Sequence, residues 1–332
     1  MEWEPEQQDL GGLGLAGICR EIYRVVFPSI LPYAAAGVEA ALLSALLLAH
    51  IAAFHGIDSL LTNDGFHFVV FLAGLLFEVV SIIGIAFSSL ACTAIYVFHI
   101  ASLYCTQGDL RASQSLLRHL PRVPLTRLAS TFFLALVLAF VILYVSLAAL
   151  LLLHYEVGVG LPLQLLGVAA CLAGVAYVAP LLHLACVASV LEDAVEFAAL
   201  RKSRALLAGK FWPAAAVFLT LDGCFLALQL AFPRLVLGDA LGLGLGFQLA
   251  AGVAVFVALW AVVLLTLAAQ PVIYIVCKNH HHEVVDKVHL DYIGEYERLA
   301  VDGDNGVELQ PVTTEQIPET TAASCMSTTP PR

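Results

Sequence analysis

The segment Leu191–Trp212, LEDAVEFAALRKSRALLAGKFW, decides how the chain is read. It is the one strongly charged stretch between two long apolar runs in the C-terminal half. Glu192, Asp193 and Glu196 open it, and Arg201, Lys202, Arg204 and Lys210 close it. Acid first and base last is the order that complements a helix dipole, and Gly209 is placed to stop that helix. The spacing therefore predicts a surface helix joining two membrane spans, with the four basic residues as its cytosolic surface.

Working outward, a weaker counterpart occupies Cys105–Arg127. There Arg111, Arg118, Arg122 and Arg127 accompany Leu110, Leu116 and Leu117, with Pro121 and Pro124 as breakers. Each segment follows one apolar run and precedes another. The pattern reads as a weak two-fold repeat of span, surface helix, span around 105–127 and 191–211.

Composition supports lipid as the solvent. The 332 residues are 61% hydrophobic and 12% charged, with a mean hydropathy of +0.91, whereas soluble domains carry about 25% charged residues. Six apolar stretches approach or exceed the roughly 20 residues that cross a bilayer. They lie near Leu31–Ala53, His67–Leu103, Leu128–Leu153, Leu161–Val190, Trp212–Phe232 and Leu243–Val276. The second is too long for one upright span and too short for two, so a tilted helix continuing into the cytosol fits it. Gln270–Pro271 is the expected kink in the sixth.

Charge sets the orientation. The connections 54–66, 154–160 and 233–242 contain Arg234 as their single basic residue. All other Lys and Arg fall in the remaining segments, which the positive-inside rule assigns to the cytosol, both termini included. The net charge of −11 is segregated, with acid at the two ends, and does not describe a nucleic-acid surface. Glu2, Glu4, Glu6 and Asp9 oppose a basic signal n-region, so no cleavable signal is expected.

The fold class expected is all-α: a polytopic membrane protein of about six transmembrane helices with interfacial cytosolic helices. Residues 1–26 form a cytosolic lead-in with an interfacial helix, on which Leu15, Ile18, Ile22 and Val25 recur at helical spacing. Residues 27–277 form the membrane domain, 278–300 a juxtamembrane helix, and 301–332 an acidic tail rich in Thr, Ser and Pro that cannot bury a core. Gly12, Gly14 and Gly17 satisfy a G-x-G-x-x-G pattern, but no strand precedes them, which removes the dinucleotide reading.

Three carboxylates, Glu39, Glu78 and Asp222, fall inside the expected spans, and chain counting puts all three near the midplane. An acid there is expensive and draws functional suspicion by default. It can hold a cation, relay protons, or stay protonated and bond neighbouring helices. Packing is the plainer expectation. Gly37, Ala41 and Ala45 add a ridge of small residues suited to close helix contact.

After the last span, His282, Asp286 and His289 share one face of a helix at spacings that suit zinc. With no cysteine pair and no His-Glu-x-x-His nearby, a solvated amphipathic helix is the better reading. Cys19, Cys105 and Cys277 sit at cytosolic membrane edges, where S-palmitoylation acts. Cys92, Cys171, Cys186 and Cys224 read as apolar packing residues. No cysteine lies in an external connection, and no N-glycosylation sequon occurs.

A resemblance enters in the same region. Tyr274, Cys277–Lys278, His281–His282–Glu283, Asp286–Lys287, Leu290, Tyr292–Ile293–Gly294–Glu295–Tyr296 and Leu299 resemble the tail of a plant family of uncharacterised multispanning membrane proteins. Some members carry a polyadenylate-binding-protein-interacting label. His280 as a third histidine and a shortened stretch before Tyr292 depart from that pattern. Glu196–Gly209 also resembles the non-catalytic membrane domain attached to some glycerophosphodiesterases, at the level of fold. Neither resemblance implies catalysis.

Together these readings lead to a non-enzymatic integral membrane protein without a cofactor, organising membrane or trafficking through a cytosolic face. Its expected partners are the bilayer and a cytosolic protein, with no direct nucleic-acid contact; anionic lipid headgroups are a candidate partner of the basic loops, beside the plainer reading of those charges as positive-inside charge with no specific lipid. An endomembrane and a plasma-membrane location both fit. The alternative is a small-solute, proton or cation transporter built on Glu39, Glu78 and Asp222.

Overall fold

The computed structural model describes residues 10–27, 34–63, 68–105, 125–155, 161–192, 194–238 and 244–281. Among these residues there is no strand. A short turn at Leu10–Gly12 leads into α1 (Leu15–Val25), followed by α2 (Ala34–Asn63), α3 (Phe68–Cys105) and α4 (Leu125–Tyr155). Then come α5 (Leu161–Leu191), the short α6 (Phe197–Leu206), α7 (Phe211–Phe232), extended by a wider turn over Pro233–Leu237, and α8 (Leu245–His280).

Leu, Ala and Val dominate the long helices. Their backbones satisfy their own hydrogen bonds, which is what hydrocarbon demands. Five apolar stretches are long enough to cross a bilayer: Gly37–Ile57, Leu72–Tyr104, Leu165–Leu191, Phe211–Leu237 and Leu245–His280. A shorter one, Leu128–Ile142, lies within the 31-residue α4. The chain is thus an all-α polytopic protein. The long second run is one helix of 38 residues, α3, as its length suggested. The helix boundaries extend past the apolar runs, and α2 continues through most of the expected 54–66 connection to Asn63.

Large apolar side chains such as Leu72, Leu76, Phe87, Phe133, Phe140 and Leu249 face outward, the reverse of a soluble protein and the expected arrangement in lipid. The buried core concentrates on α8, where the unbroken run Leu267–Cys277 is buried on every side. This helix contacts α1, α2, α3, α5, α6 and α7, and so forms the axis of the bundle. It also passes through Pro271 without ending, even though proline removes one backbone donor.

Three expectations about packing change. The apolar face of α1 lies on the bundle and not on lipid: Ile18, Ile22 and Val25 are buried with Glu21, while Leu15 is exposed. α1 packs on α7 and α8, which offer more apolar contact than an interface does. The small-residue ridge on α2 is rotated, because Ala40, Leu43 and Ser44 are buried while Ala45 is exposed. Gly37 and Ala41 are half-buried, and the Gly37 carbonyl accepts Nε1–H of Trp260 at 3.0 Å. The acid-first helix is also different: α6 starts at Phe197, so Glu192, Asp193 and Glu196 precede it, with no acid in its first turn. Gly209 does terminate the region, with φ +88°.

Candidate functional site

Polar chemistry gathers at two levels of the bundle. The first is the end formed by the C-termini of α5 and α8, the whole of α6 and the start of α7. Glu192, one residue past α5, is its centre. Its Oε1 accepts a hydrogen bond from Tyr274 and another from Lys278 Nζ at 2.9 Å, both on α8. Its Oε2 faces Lys202 Nζ of α6 at 3.5 Å. Burial pushes the Glu192 carboxyl upward, but the Tyr274 and Lys278 hydrogen bonds and the two lysine charges outweigh it. The net position is below the ordinary 4.5.

Further bonds lock this end. Ser203 Oγ of α6 donates to the Leu181 carbonyl at 2.8 Å, and His281 Nε2 donates to that of Leu206 at 3.1 Å. Lys210 Nζ donates to the Leu13 carbonyl at 2.9 Å, tying on the lead-in to α1. Glu196 adopts φ +52°, a strained value for a residue with a Cβ, and its N–H donates to Thr131 Oγ1 of α4 at 3.0 Å. On α1, Glu21 Oε1 accepts from Arg24 at 2.8 Å and from Tyr104 of α3 at 2.7 Å.

The expected basic surface therefore divides in two. Lys202 and Lys210 are turned into the structure and engaged, while Arg201 and Arg204 are exposed. The reason is helical periodicity: Ala199, Ser203 and Leu206 bury one face of α6, and Arg201 and Arg204 fall on the other.

The second level lies inside the apolar spans. His183 of α5 is stacked on Phe218 at 4.5 Å between ring centroids. Its Nδ1 meets Gln270 Nε2 at 3.0 Å, and its Nε2 meets Asp222 Oδ2 at 3.3 Å. With the Gln270 amide nitrogen donating to Nδ1, the Nε2–H of the ring is directed at Asp222. Gln270 Oε1 is buried without a hydrogen-bond partner. A second pair joins α2 and α3, where His50 Nε2 lies 3.5 Å from Glu78 Oε1 and His50 Nδ1 lies 2.9 Å from Ser81 Oγ.

Glu39 stands apart from both pairs. Its backbone carbonyl meets Cys92 Sγ at 3.8 Å, and its buried Oε2 has no hydrogen-bond partner. Cys92 is 14 residues along α3 from Glu78, about 21 Å at 1.5 Å per residue. Glu39 and Glu78 are therefore at different depths, which corrects the shared midplane level expected from counting. Asp222 is different again. Trp260, level with Gly37, is ten residues along α8 from Gln270, roughly 15 Å. Counting failed because it assumed that all helices start in one plane, whereas they are staggered.

Sequence reasoning passed over His50, His183 and Gln270. Histidines lie against two of the three carboxylates, His50 beside Glu78 and His183 beside Asp222. Their signal was present, as histidine and glutamine inside apolar runs. Sequence reasoning also read Glu192 as a helix-dipole acid and left Lys278 and Tyr274 unassigned.

Of the edge cysteines, Cys19 is exposed, whereas Cys277 is 1% exposed in the core and out of reach of an acyltransferase. Cys277 falls on the face of α8 turned into the bundle, which linear position does not reveal. The side chain of Cys105 lies outside the described residues, as do His282, Asp286 and His289, the 106–124 loop and the 301–332 tail. Among the packing cysteines, Cys92 and Cys186 are buried, Cys171 is half-buried and Cys224 is exposed on the outer surface.

No curated protein and no solved structure matches the chain. One family model does, over residues 1–310, which include the whole of the polytopic bundle just described. The chain thus belongs to the family defined by the Domain of unknown function (DUF8558).

Proposed function

We propose that this is a non-enzymatic multi-pass membrane protein that organises membrane or trafficking components through a cytosolic face. The observation that supports this reading is the Glu192 node. It clamps α5, α6 and α8 into one platform whose inward lysines are engaged and whose outward Arg201 and Arg204 are left exposed. Every basic residue of the described spans and short helices except Arg234 lies at this end of the bundle, which supports cytosolic placement of both termini. Internal pairing of His183 with Asp222, and of His50 with Glu78, fits helix-to-helix bonding within the spans.

A transport reading is favoured by one specific observation. Buried oxygens of Glu39, Glu78 and Gln270 have no hydrogen-bond partner, and acceptors of that kind suit a proton or a small cation. The experiment separates the two readings. Glu39→Gln, Glu78→Gln, Asp222→Asn triple-variant and parent proteins are compared for proton and cation flux in proteoliposomes. Proximity labelling from an N-terminal tag compares the parent with Arg201→Glu, Arg204→Glu. Under the platform reading, neither protein conducts and the cytosolic neighbours are lost with the arginines. Parent flux that disappears in a folded triple variant refutes it.

A further inference from the structure

The outward face of α6 combines two residue types that water does not favour together. Arg201 and Arg204 are exposed, and none of the contacts described above engages them. Flanking them are Phe197, 71% exposed, and Trp212, 80% exposed. Trp212 is the second residue of α7, at the very start of an apolar stretch long enough to cross a bilayer. Aromatic rings concentrate there because one edge is wet and the other apolar. The lead-in repeats the arrangement: Arg20 and Tyr23 on α1 and Phe27 just after it are exposed, and the Tyr23 and Phe27 rings meet tilted at 4.2 Å between centroids.

The partition of lysine and arginine is informative. At this end Lys202 and Lys278 face inward on Glu192, Lys210 faces inward on a carbonyl, and Arg24 is held by Glu21; among the described side chains, the exposed cations without such engagement are Arg20, Arg201 and Arg204. A guanidinium offers a planar fork that matches two phosphate oxygens, where an ammonium acts as a point charge. Glu196, exposed beside Phe197, is the one described carboxylate at the edge of this face.

We infer that the outward face of α6, from Phe197 through Arg201 and Arg204 to Trp212, binds the phosphate of anionic phospholipids in the adjoining leaflet. The arginines hold the phosphate, while Phe197 and Trp212 lie against the first methylenes of the acyl chains. The occupant is lipid because the face is continuous with the start of α7, so the leaflet reaches it in the inserted protein. This names a partner for the platform proposed above and rests on that reading of this end as a working surface. Lipid choice is measured without any cellular protein present, so its failure is distinct from failure of the platform reading.

Trp212 itself reports occupancy. Full-length protein is placed in phosphatidylcholine vesicles carrying equal small fractions of brominated phosphatidic acid, whose phosphate is terminal and unmasked, or brominated phosphatidylcholine, whose phosphate is capped by choline. The Trp212 contribution to quenching is the difference between the parent and Trp212→Phe. The expected result is stronger quenching by phosphatidic acid, a local preference of about fivefold for each arginine, equivalent to about 1 kcal/mol. Arg201→Gln with Arg204→Gln removes the preference but keeps quenching by brominated phosphatidylcholine. Arg201→Lys with Arg204→Lys retains the charge that insertion needs, yet loses at least half of the preference with the fork.

Three results overturn the inference. One is equal quenching by the two lipids in the parent. Another is an undiminished preference in the lysine pair, which makes it diffuse charge and not phosphate recognition. The last is absence of Trp212 quenching by brominated phosphatidylcholine, which means that a second copy or another protein covers the face.

Discussion

Replacing Glu192 with Gln isolates the node that closes the cytosolic end. The substitution keeps shape and leaves an acceptor for Tyr274, but it removes the charge that balances Lys278 and Lys202. The Glu192 side chain is 20% exposed and that of Lys278 12%, so their 2.9 Å contact is largely dry, while Lys202 is 32% exposed at 3.5 Å. A charge-assisted hydrogen bond is worth about 1.5–3 kcal/mol, and partial exposure keeps the loss below that of a fully buried pair. With Lys202 adding under about 1 kcal/mol, the expected loss is about 2–3 kcal/mol. If opening is local, amides at the C-terminal turns of α8 and through α6 exchange about 30- to 150-fold faster. Hydrogen exchange with peptide-level detection, in detergent or nanodiscs, reads this directly.

Acidification gives a second arm with a defined sign. The Glu192 carboxyl is held below its ordinary 4.5, so its contribution is present above that value and is lost as pH falls through the lower folded value. Parent protection at these amides, corrected for intrinsic exchange, therefore declines below about pH 4.5, and Glu192→Gln lacks that decline. A change of less than about threefold at neutral pH, or one spread evenly over all helices, refutes the node as the clamp.

Two other outcomes follow from the same region. Gly209→Ala meets a positive φ of +88°, and its new Cβ would lie 2.7 Å from His280 Nε2, so the ring must move. The expected loss is about 1–2 kcal/mol, read as a lowered unfolding midpoint, and an unchanged midpoint refutes the strain. In folded protein, a maleimide modifies Cys19 readily and spares Cys277 until denaturation, because one is exposed and the other is in the core. Equal labelling rates at the two positions count against the inward face assigned to α8.

Helical class, multi-pass character and helix positions are properties of composition along the chain. A run such as Leu72–Tyr104 cannot be satisfied in water or as an open strand in lipid, and Gly209 as a stop follows from backbone freedom alone. These are one-dimensional facts, legible at Leu191–Trp212 before any packing is known. The pairing of His183 with Asp222 and Gln270 joins residues 39 and 87 positions apart, and Lys278 with Glu192 spans 86. Their contact depends on the stagger and rotation of three helices. Those are set by how α8 packs among its neighbours, and small differences in many side-chain contacts decide them. For the same reason linear position puts Cys277, Lys202 and Lys210 at the surface, while rotation about the helix axis turns them inward. Hydropathy reports whether a segment enters lipid; only the tertiary structure decides which of its faces meets lipid, protein or a partner charge.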